Sequence, residues 1–162
     1  MAEGLVRAQA KAVHAACAFL SPRSTKVLCD RLEHAPRADG PLPWEHRVAA
    51  HTEPFVLLAE ISGDPVLCPA LREAADMMSY LLLAVGPGAN GIMLGFRRRV
   101  LENLRGGDTE SAAQEIERNM GIIHFMWRMT RTQSRPDECK HPEPQGLARG
   151  RTAVVSRSFY QT

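Results

Sequence analysis

Three polar side chains, Thr52, Arg97 and Asn119, fall on helical faces that are otherwise apolar. Arg97 has Met93 four residues before it and Val100 three residues after it, which places all three on one side of a helix. A guanidinium in such a place can bind a carboxylate through two parallel hydrogen bonds, and an amide or hydroxyl nearby can orient that ligand. These residue types and their spacing favour the binding of a small anion over the making or breaking of bonds.

Each of these residues also has a purely structural interpretation, which the sequence leaves open. Arg97 can reach solvent from the edge of the apolar stripe, or it can pair with an internal carboxylate such as Glu60. Asn119 can bond to a helix end or to a neighbouring side chain. Thr52 can return its hydroxyl to the carbonyl four residues earlier.

The histidines and cysteines lack the spacing of metal ligands. His46 and His51 are five residues apart and do not share a helical face, and the four cysteines are widely scattered. The loop GPGANG (86–91) lies between two predicted helices rather than after a strand, so it does not read as a phosphate-binding loop. With no nucleophile elbow and no visible acid–base pair, we predict no metal, no cofactor, no catalytic residue and no enzymatic activity.

The composition is typical of a single globular domain, with 162 residues, 44% hydrophobic and 23% charged. The net charge of +2 comes from the C-terminal part, because residues 131–162 hold six basic and three acidic side chains. The body of the chain shows no basic surplus, which argues against a DNA-binding face. The most apolar run, residues 77–85, is far shorter than the ~20 residues that a membrane helix needs. We expect a cytoplasmic protein with reduced thiols.

Apolar residues recur with a helical period along most of the chain. We predict an all-α antiparallel bundle of about six helices over residues 3–130, followed by a disordered polar tail over residues 131–162. Within the tail, residues 154–160 (VVSRSFY) are a candidate docking element. Asp64 and Asp108 should cap the fourth and sixth helices, and Pro54 should kink or restart the third.

The same periodicity predicts which side of each helix faces the core. In the third helix, Thr52 and Val56 should face inward together with Val48 and Phe55. The inward residues predicted for the first helix are Leu5, Ala8, Ala12, Ala15, Ala16 and Phe19; for the second they are Val27, Leu28 and Leu32; for the fourth they are Leu67, Leu71, Ala74, Ala75, Met78, Leu81, Leu82 and Val85.

Several segments of the chain, taken in order, resemble the FCD domain, the effector-binding and dimerisation module of GntR-type transcription regulators of the FadR branch. The family's Asp-x-x-x-His helix is matched by TEPFV (52–56), and the helix break after it by SGDPVL (62–67). The family's His-x-x-Ile-Leu-x-Ala-Ile-x-x-Gly-Asp helix is matched by RRRVLENLRGGD (97–108), and the next helix by SAAQEIERNM (111–120). With LVRAQAKAV (5–13) and FLSPRST (19–25), the resemblance covers residues 3–130.

The resemblance implies a homodimeric, ligand-sensing fold in which many members hold a divalent metal with one Asp and three His. Those positions fall here on Thr52, Val56, Arg97 and Asn119, so the resemblance implies a pocket without its metal. We hypothesise that Arg97 supplies the positive charge for an effector carboxylate in place of the ion, with Thr52 and Asn119 as hydrogen-bonding neighbours. Because the family often places an Arg of the first helix at the pocket, Arg7 is a further ligand-binding candidate.

The resemblance also implies a winged helix-turn-helix ahead of this domain, whereas this chain begins almost at the domain's first helix. We therefore expect no direct DNA binding by this chain alone. The predicted function is the ligand-sensing and dimerisation domain of a transcription regulator, which binds a small carboxylate or another metabolite. The alternative is a degenerate structural and dimerisation module that has no effector.

Overall fold

The computed structural model describes residues 3–34 and 41–133, and it shows six α-helices and no strand within them. The prediction of an all-α fold with about six helices is therefore confirmed. The predicted boundary at residue 130 falls inside the last helix, and the predicted tail element at 154–160 lies outside the described residues. The helices are α1 (Glu3–Ala18), α2 (Pro22–His34), α3 (Trp44–Ser62), α4 (Leu67–Val85), α5 (Asn90–Arg105) and α6 (Thr109–Gln133), with one 3₁₀ turn at Pro87–Ala89.

The helix ends follow from local chemistry. Asp64 accepts hydrogen bonds from the backbone N–H groups of Val66 (2.7 Å) and Leu67 (3.0 Å), so it caps α4 as predicted. Asp108 accepts from the N–H of Ser111 at 2.9 Å and caps α6 in the same way. Gly63 ends α3 at a φ of 56°, in the left-handed region that favours glycine.

The first and last helices of the bundle run antiparallel along each other. His14 on α1 lies between two glutamates of α6, with its Nε2 atom 2.8 Å from Glu117 and its Nδ1 atom 3.7 Å from Glu110. Burial raises the pKa of Cys17, one turn further along α1, to about 12, and the charge of Glu110 adds to that shift, which places Glu110 near this later turn. The residue numbers rise on one helix as they fall on the other, which is the antiparallel arrangement.

Two further pairs share that antiparallel arrangement. Near the start of α3, Trp44 donates its indole N–H to the carbonyl of Leu82 at 3.1 Å. At the other end of the same pair, Cys68 donates its thiol to the carbonyl of Ala59 at 3.0 Å. Helix α5 is joined to α6 by the ion pair between Arg99 and Glu115 at 2.8 Å. Helix α4 packs against α3, α6 and α1, whereas α5 packs against α6 and α2.

The core is continuous through all six helices. The predicted stripe of α4 is buried along its central part, and Leu67 and Val85 at its ends are half-buried. The largest side chains that are fully buried are Phe55, Phe96, Leu28, Leu32, Leu57, Leu58, Leu71, Met78, Leu81, Leu82, Met93 and Ile116.

The predicted inward face of α1 was partly wrong. Leu5, Ala8 and Phe19 are exposed, and the buried side includes Val13 and Cys17 instead. Because α1 is rich in alanine, apolar residues lie on all its sides, and periodicity alone did not identify the side that packs against α4 and α6. On α2, Val27 is exposed for the related reason that it lies at the edge of the stripe formed by Leu28 and Leu32.

Within residues 3–34 and 41–133, no single helix is both long and apolar enough to cross a membrane. Helix α4 and the segment Pro87–Arg105 meet that criterion only as a pair, and they are bent by 110° at the turn between them.

Two glycine substitutions should have opposite effects on stability. Gly63→Ala places a Cβ at a left-handed φ and should lower the free energy of unfolding by about 1 kcal/mol. Gly121→Ala, at an exposed position inside α6 where a Cβ meets nothing within 4 Å, should raise it by about 0.5–1 kcal/mol. Urea denaturation of both variants measures the difference. Equal shifts in the same direction would contradict the assignment of Gly63 as the helix-ending residue.

Candidate ligand site around Arg97

Arg97 on α5 faces inward, as predicted, and its side chain is only 13% exposed. Its Nη1 atom donates to the carbonyl of Ala50 on α3 at 2.7 Å. Its Nη2 atom donates to the carbonyl of Leu32 on α2. The guanidinium of Arg97 therefore connects α5 to the main chains of α2 and α3.

The two carbonyls that Arg97 bonds are ones that their own helices leave without a donor. Pro54 stands four residues after Ala50 and has no N–H, so α3 cannot satisfy the Ala50 carbonyl internally. Helix α3 nevertheless continues through Pro54 without restarting. Leu32 lies in the last turn of α2, where carbonyls lack intrahelical partners. Arg97 thus supplies the hydrogen bonds that a proline and a helix end take away.

The charge of Arg97 is balanced by Glu53 of α3. The Nη2 atom of Arg97 lies 3.7 Å from Oε2 of Glu53, which is too far for a hydrogen bond but close enough for an ion pair. Burial lowers the pKa of Arg97, and the charge of Glu53 opposes that shift. Burial likewise raises the pKa of Glu53, and the charges of Arg97 and Arg31 oppose it. The carboxylate that we considered as a partner from the sequence, Glu60, instead pairs with Arg31 at 2.6 Å.

Asn119 on α6 is 2% exposed and sits among buried apolar side chains. Its Nδ2 atom donates to the sulfur of Met93 at 3.2 Å, and its Oδ1 atom accepts no hydrogen bond from the described residues. Its sequence neighbours Ile116, Met120 and Ile123 are equally buried. An unpaired buried amide oxygen costs about 1–3 kcal/mol, so this amide is a polar defect in an apolar interior.

The hydrogen bonds of Thr52 fit the structural interpretation given from the sequence. Its hydroxyl donates to the carbonyls of Val48 and Ala49, both at 3.2 Å, and it accepts from the hydroxyl of Ser79 on α4 at 3.4 Å. Thr52 therefore links α3 to α4. Among the described residues, no hydrogen bond joins any two of Thr52, Arg97 and Asn119.

The other two predicted ligand-binding residues lie on the surface. Val56 is 36% exposed, so the prediction that it faces inward with Thr52 was wrong. Position 56 follows Thr52 by four residues, but α3 is rotated so that the buried side includes Phe55 and Leu57 on either side of Val56. Arg7 is exposed on α1 and lines none of the cavities described below.

Two open clefts lie on the surface of the described helices. A cleft of about 530 Å³ on the outer face of α3 is lined by Leu42, His46, Ala49, Ala50, Glu53 and Val56. A second, of about 510 Å³, lies between α2 and the turn from α5 to α6, with Cys29, Arg105 and Thr109 among its lining residues. Neither cleft is lined by Arg97 or Asn119.

His51 is a buried polar residue that sequence analysis considered only as a metal ligand. It is 1% exposed, and its Nε2 atom is 3.0 Å from the amide oxygen of Asn90, to which it can donate a hydrogen bond. The Nδ1 atom has no partner among the described residues. Burial lowers the pKa of His51, with the hydrogen bond to Asn90 opposing and the charge of Arg97 adding to the shift. The position of His51 next to Thr52, within an apolar helix, is the sequence signal that could have predicted its burial.

Within the described part of the chain, no group of three His, Cys, Asp or Glu side chains is placed to hold a metal ion. Comparison with family models, curated proteins and solved structures finds no match to this chain. The geometry of the residues themselves therefore carries the functional argument.

Replacement of Arg97 should destabilise the fold, and part of that loss should depend on the presence of Pro54. Arg97→Ala leaves two buried carbonyls without donors and should lower the free energy of unfolding by roughly 2–4 kcal/mol. In a Pro54→Ala background, residue 54 has an N–H for Ala50, and the loss should shrink by about 1 kcal/mol. Chemical denaturation of the double-mutant cycle measures this coupling, with the exposed Arg98→Ala as a control that changes little. Strict additivity of the two substitutions would refute the account.

The lowered pKa of His51 predicts a pH-dependent stability. An unfolded histidine takes up a proton near pH 6.5, whereas folded His51 does so only at lower pH. The contribution of His51 is therefore fully present above about pH 6.5 and is lost as the pH falls below it. Between pH ~7.5 and ~5.5, the wild type should lose more stability than His51→Asn, measured as the urea midpoint. His46→Asn, at an exposed position of the same helix, should behave as the wild type does; a His51 variant with the wild-type slope would contradict the prediction.

Proposed function

We propose that this chain is the ligand-sensing and dimerisation domain of a transcription regulator, of the FCD type, that works without a metal ion. The observation that carries the proposal is the placement of Thr52, Arg97 and Asn119. Three of the four positions that the resemblance assigns to metal ligands lie on inward sides of three different helices, α3, α5 and α6. At one of them a fixed cation stands in the interior.

Arg97 supports this proposal through its structural role. A bound ion in such a bundle holds facing helices together and fixes their relative positions. Arg97 does the same by bonding the main chains of α2 and α3. A ligand that changed this connection would move α2 and α3 relative to α5, and such a shift is the kind of change that a sensor domain transmits to its partner.

The effector class proposed from the sequence, a small carboxylate, depends on free N–H groups at Arg97. Two of its nitrogen atoms already donate to carbonyls, and Glu53 balances its charge. A carboxylate would have to displace Glu53 to form the two-bond arrangement. Binding of a carboxylate at Arg97 therefore stays a prediction, as do the homodimer, the cytoplasmic location and the lack of DNA binding by this chain alone.

One observation favours a second candidate, a structural and dimerisation module with no effector. Asn119 lies among buried apolar side chains that include Met93 and Met120, and neither of the two clefts reaches it. If the interior admits no small molecule, the helices serve only to hold a dimer together. Both candidates are non-catalytic and share the same fold.

A ligand screen in solution separates the two candidates. We expect the chain to sediment as a dimer and a small metabolite to raise its melting temperature equally with divalent metal added or withheld. At 100 times its dissociation constant, one ligand adds about 2.7 kcal/mol to stability. Carboxylates that bind should lose affinity in Arg97→Lys, which keeps the charge but cannot bond two carbonyls at once. A monomer, or a ligand that binds only with metal, would contradict the proposed function; a dimer that binds nothing would favour the structural module.

A further inference from the structure

The cleft on the outer face of α3 has the size and chemistry of a ligand site. Its volume of about 530 Å³ lies within the range of small-molecule pockets, roughly 300–1,000 Å³. Most of its wall is apolar, formed by Leu42, Ala49, Ala50 and Val56. Against this apolar wall stand two ionisable side chains, His46 and Glu53.

Glu53 is the charged group of this cleft. Its side chain is only 25% exposed, although it is a carboxylate. Its Oε2 atom is buried and accepts no hydrogen bond from the described residues. Buried carboxylates are normally satisfied by donors, so Glu53 has hydrogen-bonding capacity that its surroundings do not use.

Arg97 does not fill that need. Its Nη2 atom is 3.7 Å from Glu53, while two of its N–H groups are directed to the carbonyls of Ala50 and Leu32. Glu53 lines the cleft and Arg97 does not. The next cation, Arg31, is paired with Glu60 at 2.6 Å.

The positions of Glu53 and Arg97 relative to the cleft determine whether it prefers a cation or an anion. A molecule in the cleft approaches Glu53 more closely than Arg97, and Coulomb energy falls with distance. An anion therefore meets repulsion from the nearer charge, and a cation meets attraction. A cation that carries N–H groups would also form a charge-assisted hydrogen bond with the exposed part of the carboxylate.

We propose that the α3 cleft binds a small amphipathic cation: a primary ammonium that bonds the carboxylate of Glu53, on a short aliphatic body that packs along Leu42, Ala49 and Val56. This inference goes beyond the proposed function, because the cleft and its acid are present whether or not the chain regulates transcription. In this cleft Glu53, rather than Arg97, selects the charge of the ligand.

Three probes of equal chain length test the proposal: n-hexylammonium, n-hexanol and n-hexanoate, titrated against the wild-type chain at neutral pH. Hexylammonium should bind about tenfold more tightly than hexanol, which corresponds to one charge-assisted hydrogen bond. Hexanoate should bind most weakly. The amide resonances of residues 46–56 should shift on titration and so locate the site.

Two variants and a matched control test the role of the cleft. Glu53→Gln should reduce the affinity for hexylammonium to that for hexanol, while Glu60→Gln, seven residues further along α3 and outside the cleft, should leave it unchanged. Val56→Lys places a cation at an exposed position of the wall and should abolish hexylammonium binding even if Glu53→Gln does not fold.

Several outcomes would overturn the inference. They are hexanoate binding as tightly as hexylammonium, hexanol binding equally well, no binding of any probe, or an unchanged affinity in Val56→Lys. Hexanoate binding that is lost in Arg97→Lys would reject this cleft as a cation site and support the carboxylate prediction. The dimer measurement is independent of all three probes, so the two proposals can fail separately.

Discussion

The structure depends on the side chain of Arg97, which donates hydrogen bonds to two main-chain carbonyls that would otherwise have no donor. Pro54 and the end of α2 each leave a carbonyl without a donor, and Arg97 bonds both from α5. Bringing a guanidinium into the interior is costly unless its donors are used and its charge is balanced. Here two N–H groups of Arg97 donate to carbonyls, and Glu53 balances the charge. The same contacts add to the packing of α2 against α5 and α3 and to the ion pair between Arg105 of α5 and Glu33 of α2.

This arrangement limits what the residues can do for a ligand. The sequence suggests that Arg97 is available to a ligand, but its guanidinium is bonded to the protein itself. The charged group that borders the open cleft is its ion-pair partner, Glu53. A sensor built on these residues would act by loosening or tightening the connection between α2, α3 and α5. Oε2 of Glu53, Nδ1 of His51 and Oδ1 of Asn119 are buried polar atoms whose hydrogen-bonding capacity the described residues do not use.

Much of the fold could be predicted from local sequence signals. The six helices, the caps at Asp64 and Asp108 and the inward side of Arg97 follow from periodicity and from residues within one turn. The partners of Arg97 could not be predicted, because they are main-chain atoms 47 and 65 residues away and are exposed to it only by packing. Val56 and the exposed side of α1 were misplaced for a different reason. A spacing of four residues, or an alanine-rich helix, fits more than one rotation about the helix axis.

The central claim is that the N–H groups of Arg97 are engaged by main-chain carbonyls. Nitrogen-15 NMR of the arginine side chains tests it directly. Arg97 should show separate, slowly rotating Nη groups whose protons exchange slowly with water, with scalar coupling across hydrogen bonds to the carbonyl carbons of Ala50 and Leu32. Exposed Arg98 should show averaged, rapidly exchanging signals. If the Nη groups of Arg97 rotate and exchange as fast as those of Arg98, the guanidinium does not hold the helices together and the account is wrong.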